Sequence, residues 1–379
     1  MIKYERLQHL FLSLVRINSP SKDERRMADF LPPHLEALGY EVFEDNAGAR
    51  IGGTAGNVYA FKQGASRNGV SITFSAHLDT VQPTSGLEPV VTQDGVVKTD
   101  GSSILGADDK AGVAAIIEAL RVVEEEDIPY RGIQVIFDVA EEIGLLGAKL
   151  VPKESIRGDF VYVLDTEKPV ASIVVAGPSH ENLKAVFTGR ASHAGINPEA
   201  GVNAIVAASR AISMMKLGRI DFETTANVGV IEGGVARNIV AERAEVLAEA
   251  RSRGEEKLAA QRQHMLECFR EGAAEVGASV EIEVQREYNA FRWKPDDPII
   301  RLASSAGESI GISPQLVEAG GGSDANIYNE IGVPTVLIGV GYEGAHSTSE
   351  QIAVADLAKC AEFLVALIRK SGETERDVA

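Results

Sequence analysis

Four short segments concentrate side chains that can bind a metal or move a proton. The first is His77-Leu78-Asp79, directly after the apolar run 70–76. Alternation along an extended chain puts residues 77 and 79 on one side. A ligand imidazole needs a partner to fix its tautomer and ring orientation, and a carboxylate so placed can serve. The second is LGADDKAG, residues 105–112, which sets Asp108 and Asp109 at the mouth of a helix expected from Lys110. Aspartate caps helices well, and a capping role leaves room for a ligand role, because the two oxygens of a carboxylate can bridge two metals. The third is Glu141-Glu142, at the end of the apolar run 133–140. Ligand sites in open α/β sheets gather beyond the carboxyl ends of strands. Neighbouring carboxylates in different environments can divide into a ligand and a general base. The fourth is His346 in GYEGAHSTSE, after the apolar run 334–340, and Asp165 after 160–164 repeats the pattern. Each segment alone also fits a solvated turn or a cap. Their repetition past several apolar strands is the informative part.

Together His77, Asp108, Glu142, Asp165 and His346 offer two imidazoles, three carboxylates and no thiolate. That donor class suits zinc, manganese or cobalt in a hydrolytic site. Two divalent ions are balanced by three carboxylates and one hydroxide, which leaves Glu141 beside a neutral centre as proton acceptor. The chemistry implied is metal-assisted hydrolysis, with a water held between two ions and Glu141 as general base.

The rest of the chain must position these groups. It has 379 residues, 45% hydrophobic and 24% charged, enough for a large core and two or three domains. A net charge of −18 disfavours nucleic acid and anionic membrane surfaces as partners. The two cysteines, Cys268 and Cys360, form no CxxC pair and read as small buried residues. The first residues show no signal-peptide pattern, and no apolar run is long enough to span a bilayer, so a cytoplasmic enzyme is expected.

Periodicity predicts helices over 3–16, 24–38 (interrupted near Pro32 and Pro33), 110–125 and 354–369, and strands over 70–76, 133–140, 160–164 and 334–340. This alternation implies an α/β layer architecture with a mostly parallel central sheet. The middle differs. Strands over 183–188, 226–231, 239–250 and 279–286, with helices over 202–216 and 255–277, give the order βαββαβ of a ferredoxin-like unit. Residues 179–297 therefore read as an inserted lid or dimerisation domain. Residues 1–178 and 298–379 read as one discontinuous catalytic domain, with hinges near Gly177-Pro178 and residues 293–298.

The stretches SAHLDTV, LGADDKAG, DVAEEIGLLGA, RASHAGINPEAGVNAI, ARNIVAERAEVLAEARS, GGGSDANIYNEIGVP and GYEGAHSTSEQI run from His77 to Glu350. In that order they resemble the M20 metallopeptidases, most closely the peptidase T-like (tripeptide aminopeptidase) branch. The resemblance implies a short-peptide substrate and two divalent ions, zinc before cobalt or manganese. Asp108 would bridge the ions through its carboxylate, and its bond to Asp109 would be a cis peptide. His77 and Asp165 would hold one ion, and Glu142 and His346 the other. Asp79 would orient His77, and Glu141 would be the general base. His193 on the insert would reach the substrate or oxyanion, its own subunit's or a partner's, in a homodimer. Asn238 and Arg251 would hold the substrate's backbone or carboxylate, beside a glycine-rich loop that includes Gly321 and Gly322. That loop reads GGGSDAN where many relatives have GGTDG, a difference that bears on substrate choice. It lacks the spacing and lysine of a phosphate loop.

The rival readings are a carboxypeptidase or N-acyl-amino-acid deacylase of the same family, a metal-binding protein without catalysis, and a purely structural protein. Of the remaining histidines, His9, His34 and His264 lie in helical stretches and read as structural or surface residues, and His180 sits at the proposed hinge.

Overall fold

The apolar runs that precede the chemistry-bearing residues become neighbouring strands of one sheet. A computed structural model describes residues 1–374. Its main sheet runs Glu41–Glu44, Val58–Gln63, Gly132–Asp138, Ile72–His77, Phe160–Val163, Thr335–Ile338, Ile173–Gly177. The central four strands are mutually parallel, and the flanking pairings are antiparallel. Strands Ile72–His77 and Gly132–Asp138 are buried at every position. Covered on both faces, they are mostly apolar, and their buried polar side chains pair with one another, Thr73 with Gln134 and Ser75 with Asp138.

Register sets the site. His77 lies opposite Asp138, and Ser75 opposite Val163. The residues just past these strands therefore emerge level, at one edge of the sheet. Helix Ala107–Glu125 packs against strand Ile72–His77 and against helix Val354–Glu373, which also contacts Pro298–Ser309. Their apolar faces form one core with helix Tyr4–Val15.

Several predicted bounds shift for local reasons. The helix expected over 24–38 is two helices, Arg25–Phe30 and Pro32–Glu36, because Pro32 starts a new one. No strand is predicted at Glu41–Glu44, Val58–Gln63 or Ile173–Gly177, yet all three join the sheet. Glu41–Glu44 is a short, mostly exposed edge, so its residues carry little apolar signal. The helix expected from Lys110 begins at Ala107, although Asp108 and Asp109 have non-helical angles.

The described residues form two compact units. One comprises Met1–Val175, Trp293–Glu318 and residues 323–374. The other comprises Ala176–Arg292 and Ala319–Gly322. In the second unit the strands order as Gly218–Arg219, Thr224–Gly233, Arg243–Ser252, Ser179–Thr188, Ser279–Tyr288, all antiparallel. Helices Ala204–Met214 and Glu255–Ala274 share its core. This is the ferredoxin-like arrangement. The strand expected from residue 239 begins only at Arg243, after an exposed turn. The expected division leaves the glycine-rich loop with the catalytic domain, whereas residues 319–322 group with the insert. The Ala319 N–H donates to Ala176 O (2.8 Å), and Arg253 Nη1 donates to Ala319 O (3.0 Å). No helix among the described residues is long and apolar enough to cross a membrane.

Candidate metal centre

Two groups of potential ligands meet at one carboxylate. The first is His77, Asp108 and Asp165, and the second is Asp108, Glu142 and His346; within each group the ligand atoms all lie within 4.8 Å of one another. His77 ends its strand and is buried. Its Nε2 is 3.2 Å from Asp108 Oδ1 and 3.8 Å from Asp165 Oδ1. On the other side, His346 Nε2 is 3.3 Å from Asp108 Oδ2 and 3.0 Å from Glu142 Oε2. The two oxygens of Asp108 thus face the two groups separately.

Local structure explains how one aspartate stays available. The Asp108–Asp109 peptide is cis. Asp109, not Asp108, does the capping: its Oδ1 accepts the Gly112 N–H (3.2 Å) and its Oδ2 the His77 N–H (3.3 Å). The main chain before the helix is held by Glu350, which accepts from Gly106 N (2.6 Å) and Asp108 N (2.9 Å). Gly112 is required for close approach, since a Cβ there would lie 2.4 Å from Asp109 Oδ1 and 2.5 Å from Leu164 O.

Asp79 meets His77 mainly through its main chain. The His77 Nδ1 lies 2.9 Å from the Asp79 carbonyl oxygen and 3.5 Å from Oδ1. The carboxylate itself accepts the N–H groups of Glu141 (2.9 Å) and Glu142 (3.2 Å) and the Ser21 hydroxyl (2.6 Å). Asp79 therefore links the turn that bears Glu141 and Glu142 to the imidazole.

The electrostatics are those of crowded acids around two imidazoles. Burial pushes the Glu141 carboxyl well above the carboxylate range; His77 opposes this, while Asp165, Asp324 and Glu142 reinforce it. Burial likewise raises Asp165, with Asp108 adding to the effect. Burial would lower His77, but hydrogen bonds to Asp108 and Asp79 outweigh it and hold the ring well above its ordinary value. His346 is pushed up to about 10 by Asp108 and then Glu142. An all-nitrogen-and-oxygen donor set of this charge, split into two groups that share a carboxylate, fits a pair of divalent cations.

Sequence reasoning missed Tyr342 and Glu350. The Tyr342 hydroxyl donates to Asp108 Oδ1 (3.2 Å) and Asp165 Oδ1 (3.3 Å) from a fully buried position. Their only signal is their spacing, four residues before and four after His346. Buried beneath the centre, Asp138 accepts from Ser75 (2.8 Å) and Tyr328 (2.7 Å).

The insert brings another set together. His193 bridges to Ile239, and the Ala194 N–H donates to Asn238 O (3.0 Å), so His193 and Asn238 sit side by side on exposed turns. Arg251 Nη2 pairs with Glu249 (2.9 Å), which also takes His180 Nε2 (3.0 Å). Thus His180 has a partner that its sequence context does not reveal. His34 and His264 also have partners, Arg121 Nη2 and the Lys216 N–H respectively. Gly321 lies nearest the Arg251 guanidinium, and a Cβ at Gly322 would meet the Tyr288 ring at 2.1 Å.

The model of peptidase family M20/M25/M40 matches residues 73–370. The chain belongs to this family. It is therefore a metallopeptidase of the M20 type, a hydrolase. It is 43% identical to the Bacillus subtilis protein YqjE over 373 residues, covering 98% of this chain and 100% of that one. The aminopeptidase PepT of Bacillus cereus superposes with a TM-score of 0.89 at 44% identity, over 98% of this chain and 99% of that one. A tripeptidase of Staphylococcus aureus gives a TM-score of 0.94 at 37% identity, over 99% and 100%.

Proposed function

We propose that this M20 peptidase is a zinc-dependent aminopeptidase that removes the N-terminal residue of tripeptides, with Glu141 as general base. The observation that carries this reading is the pair of ligand groups sharing Asp108, with Glu141 next in sequence to Glu142. Likeness to an aminopeptidase and a tripeptidase over nearly the full chain supports the substrate class.

In this reading His77 and Asp165 would hold one ion, Glu142 and His346 the other, and Asp108 would be shared by both groups. Divalent ions held there would supply Lewis acidity toward a water and the scissile carbonyl. Glu141 takes the water proton and later delivers it to the leaving amine. Asp79 keeps the His77 ring and the Glu141 turn in mutual register. His193 donates to the developing oxyanion, and Asn238, Arg251, Gly321 and Gly322 hold the peptide.

The test is mass spectrometry of products from free, N-acetylated and C-amidated di-, tri- and tetrapeptides in the presence of zinc, cobalt or manganese. Release of the first residue from free tripeptides, blocked by N-acetylation, is expected. Cleavage that needs a free C-terminus, or removal of the acetyl group, would replace this reading by a carboxypeptidase or a deacylase.

A homodimer through the insert is part of the same proposal. Strand Thr224–Gly233 is paired on one side along its length and on the other only at Thr225 and Ala226. Such an edge is a template for association. Val230, Ile231, Val235, Ile205 and Val206 are exposed in the same unit. Light scattering should return twice the chain mass; a monomer would remove the dimer.

A further inference from the structure

The turn that bears Glu141 is held by side chains from three distant segments. Ala140 has φ +53°. A non-glycine residue is strained there and stays only where its surroundings over-determine it. Those surroundings are specific. The Val139 N–H donates to Asn57 Oδ1 (3.1 Å), and the Ala140 N–H to Glu24 Oε1 (3.0 Å). The next two N–H groups, of Glu141 and Glu142, go to the two oxygens of Asp79. Four consecutive amides are thus tied by side-chain oxygens. Asn57 also donates to Gly147 O (3.1 Å), which closes the base of the loop.

Glu24 is the unexpected member. It is fully buried, and a buried carboxyl is costly unless its hydrogen bonds repay the loss of water. It precedes helix Arg25–Phe30 but makes no side-chain cap there. Its Oε1 instead accepts from Lys22 N (2.7 Å) and from Ala140 N. Its Oε2 has no partner among the described residues. Ser21, three residues earlier, orients Asp79 through Oδ2. One short segment therefore reaches the turn twice, directly through Glu24 and indirectly through Asp79.

We infer that Glu24 is a positioning residue for amide hydrolysis, fixing through the Ala140 N–H the backbone from which Glu141 projects, with Asn57 as its companion at Val139. The inference rests on the reading of Glu141 as general base.

The experiment compares Glu24→Ala, Glu24→Gln and Glu141→Gln as metal-loaded full chains acting on one free tripeptide. Glutamine keeps an acceptor for Lys22 and Ala140 and sets its NH2 where Oε2 has no partner. Glu24→Ala should lower kcat by about 10²-fold at unchanged KM, the scale of a reacting group misplaced by about an ångström. Its metal content should be unchanged, and amides 139–142 should exchange with deuterium faster than in the parent chain. Glu24→Gln should recover most of the rate and the protection. A normal kcat in Glu24→Ala, a loss matched by lost metal, or a glutamine variant no better than alanine would overturn the role. If Glu24→Ala does not fold, Glu24→Asp, one methylene shorter, is read by the same outcomes. Should Glu141→Gln keep its turnover, the general-base reading and this inference both fall. Should it collapse while Glu24→Ala stays active, the positioning role alone falls.

Discussion

The hydroxyl of Tyr342 donates to Oδ1 of Asp108 across 3.2 Å, and the same oxygen faces Nε2 of His77. A partner of this kind fixes the orientation of a ligand carboxylate. Tyr342→Phe removes the donor and keeps the ring. We expect metal affinity to fall by roughly 10–100-fold with the fold intact, the usual cost of losing such a partner. Competition with a chromophoric chelator measures it, and unchanged affinity would count against the role.

Glu141→Gln removes the proposed base while leaving all five proposed ligands. The variant should bind as much metal as the parent and lose about 10²–10⁴-fold or more in kcat. Near-normal turnover would sink the assignment.

Asp108 faces both ligand groups, whereas His346 belongs to one. Elemental analysis after gel filtration should therefore find both ions depleted in Asp108→Ala and mainly one in His346→Ala. Full double occupancy in Asp108→Ala would rule out bridging.

Gly112→Ala drives a methyl group into Asp109 Oδ1 and the Leu164 carbonyl oxygen. Overpacking of this kind costs about 1–3 kcal/mol. Because Asp109 also holds the His77 N–H, metal binding should weaken together with stability. Urea unfolding and metal titration on the same samples would show whether the two move together.

His193→Ala should retain metal and lose activity, since an oxyanion donor is removed. If the histidine serves a partner subunit, mixing inactive Glu141→Gln with inactive His193→Ala restores part of the activity in hybrid dimers. No recovery, despite demonstrated subunit exchange, would place it in its own subunit's site. Normal activity in His193→Ala alone would reject the catalytic role.

Much of the fold was legible because four of the five proposed ligands follow parallel strands of the main sheet, while Asp108 stands at the head of helix Ala107–Glu125. Apolar residues, broken by Ser71, Thr73 and Ser75 in one stretch and by Gln134 and Asp138 in the other, make 70–76 and 133–140 visible, and the residues just past them are then marked by position as well as by type. The ferredoxin-like order was legible for a similar reason, because its two helices are long and its strands alternate. The features that escaped depend on contacts between remote segments. Nothing near Glu24 announces that its carboxylate ends at Ala140, 116 residues on. Nothing in GYEGAH sets Tyr342 apart from an ordinary core tyrosine. Asp79 was legible as a partner of His77, but the division of labour was not: its carbonyl takes the imidazole and its carboxylate takes the turn. That division depends on where the chain bends after His77, which side-chain types do not encode.

Strand Thr335–Ile338 lies between Phe160–Val163 and Ile173–Gly177 in the main sheet. During translation the two flanking strands leave the ribosome long before the strand that separates them. The nascent sheet holds an open slot while the entire insert is being made, and the insert, with its own core, can fold in that interval. His346 and Tyr342 come directly after the late strand, so the second ligand group cannot assemble before the slot is filled. A growing chain thus cannot bring the two proposed ligand groups together until Thr335–Ile338 and the residues up to His346 have been made.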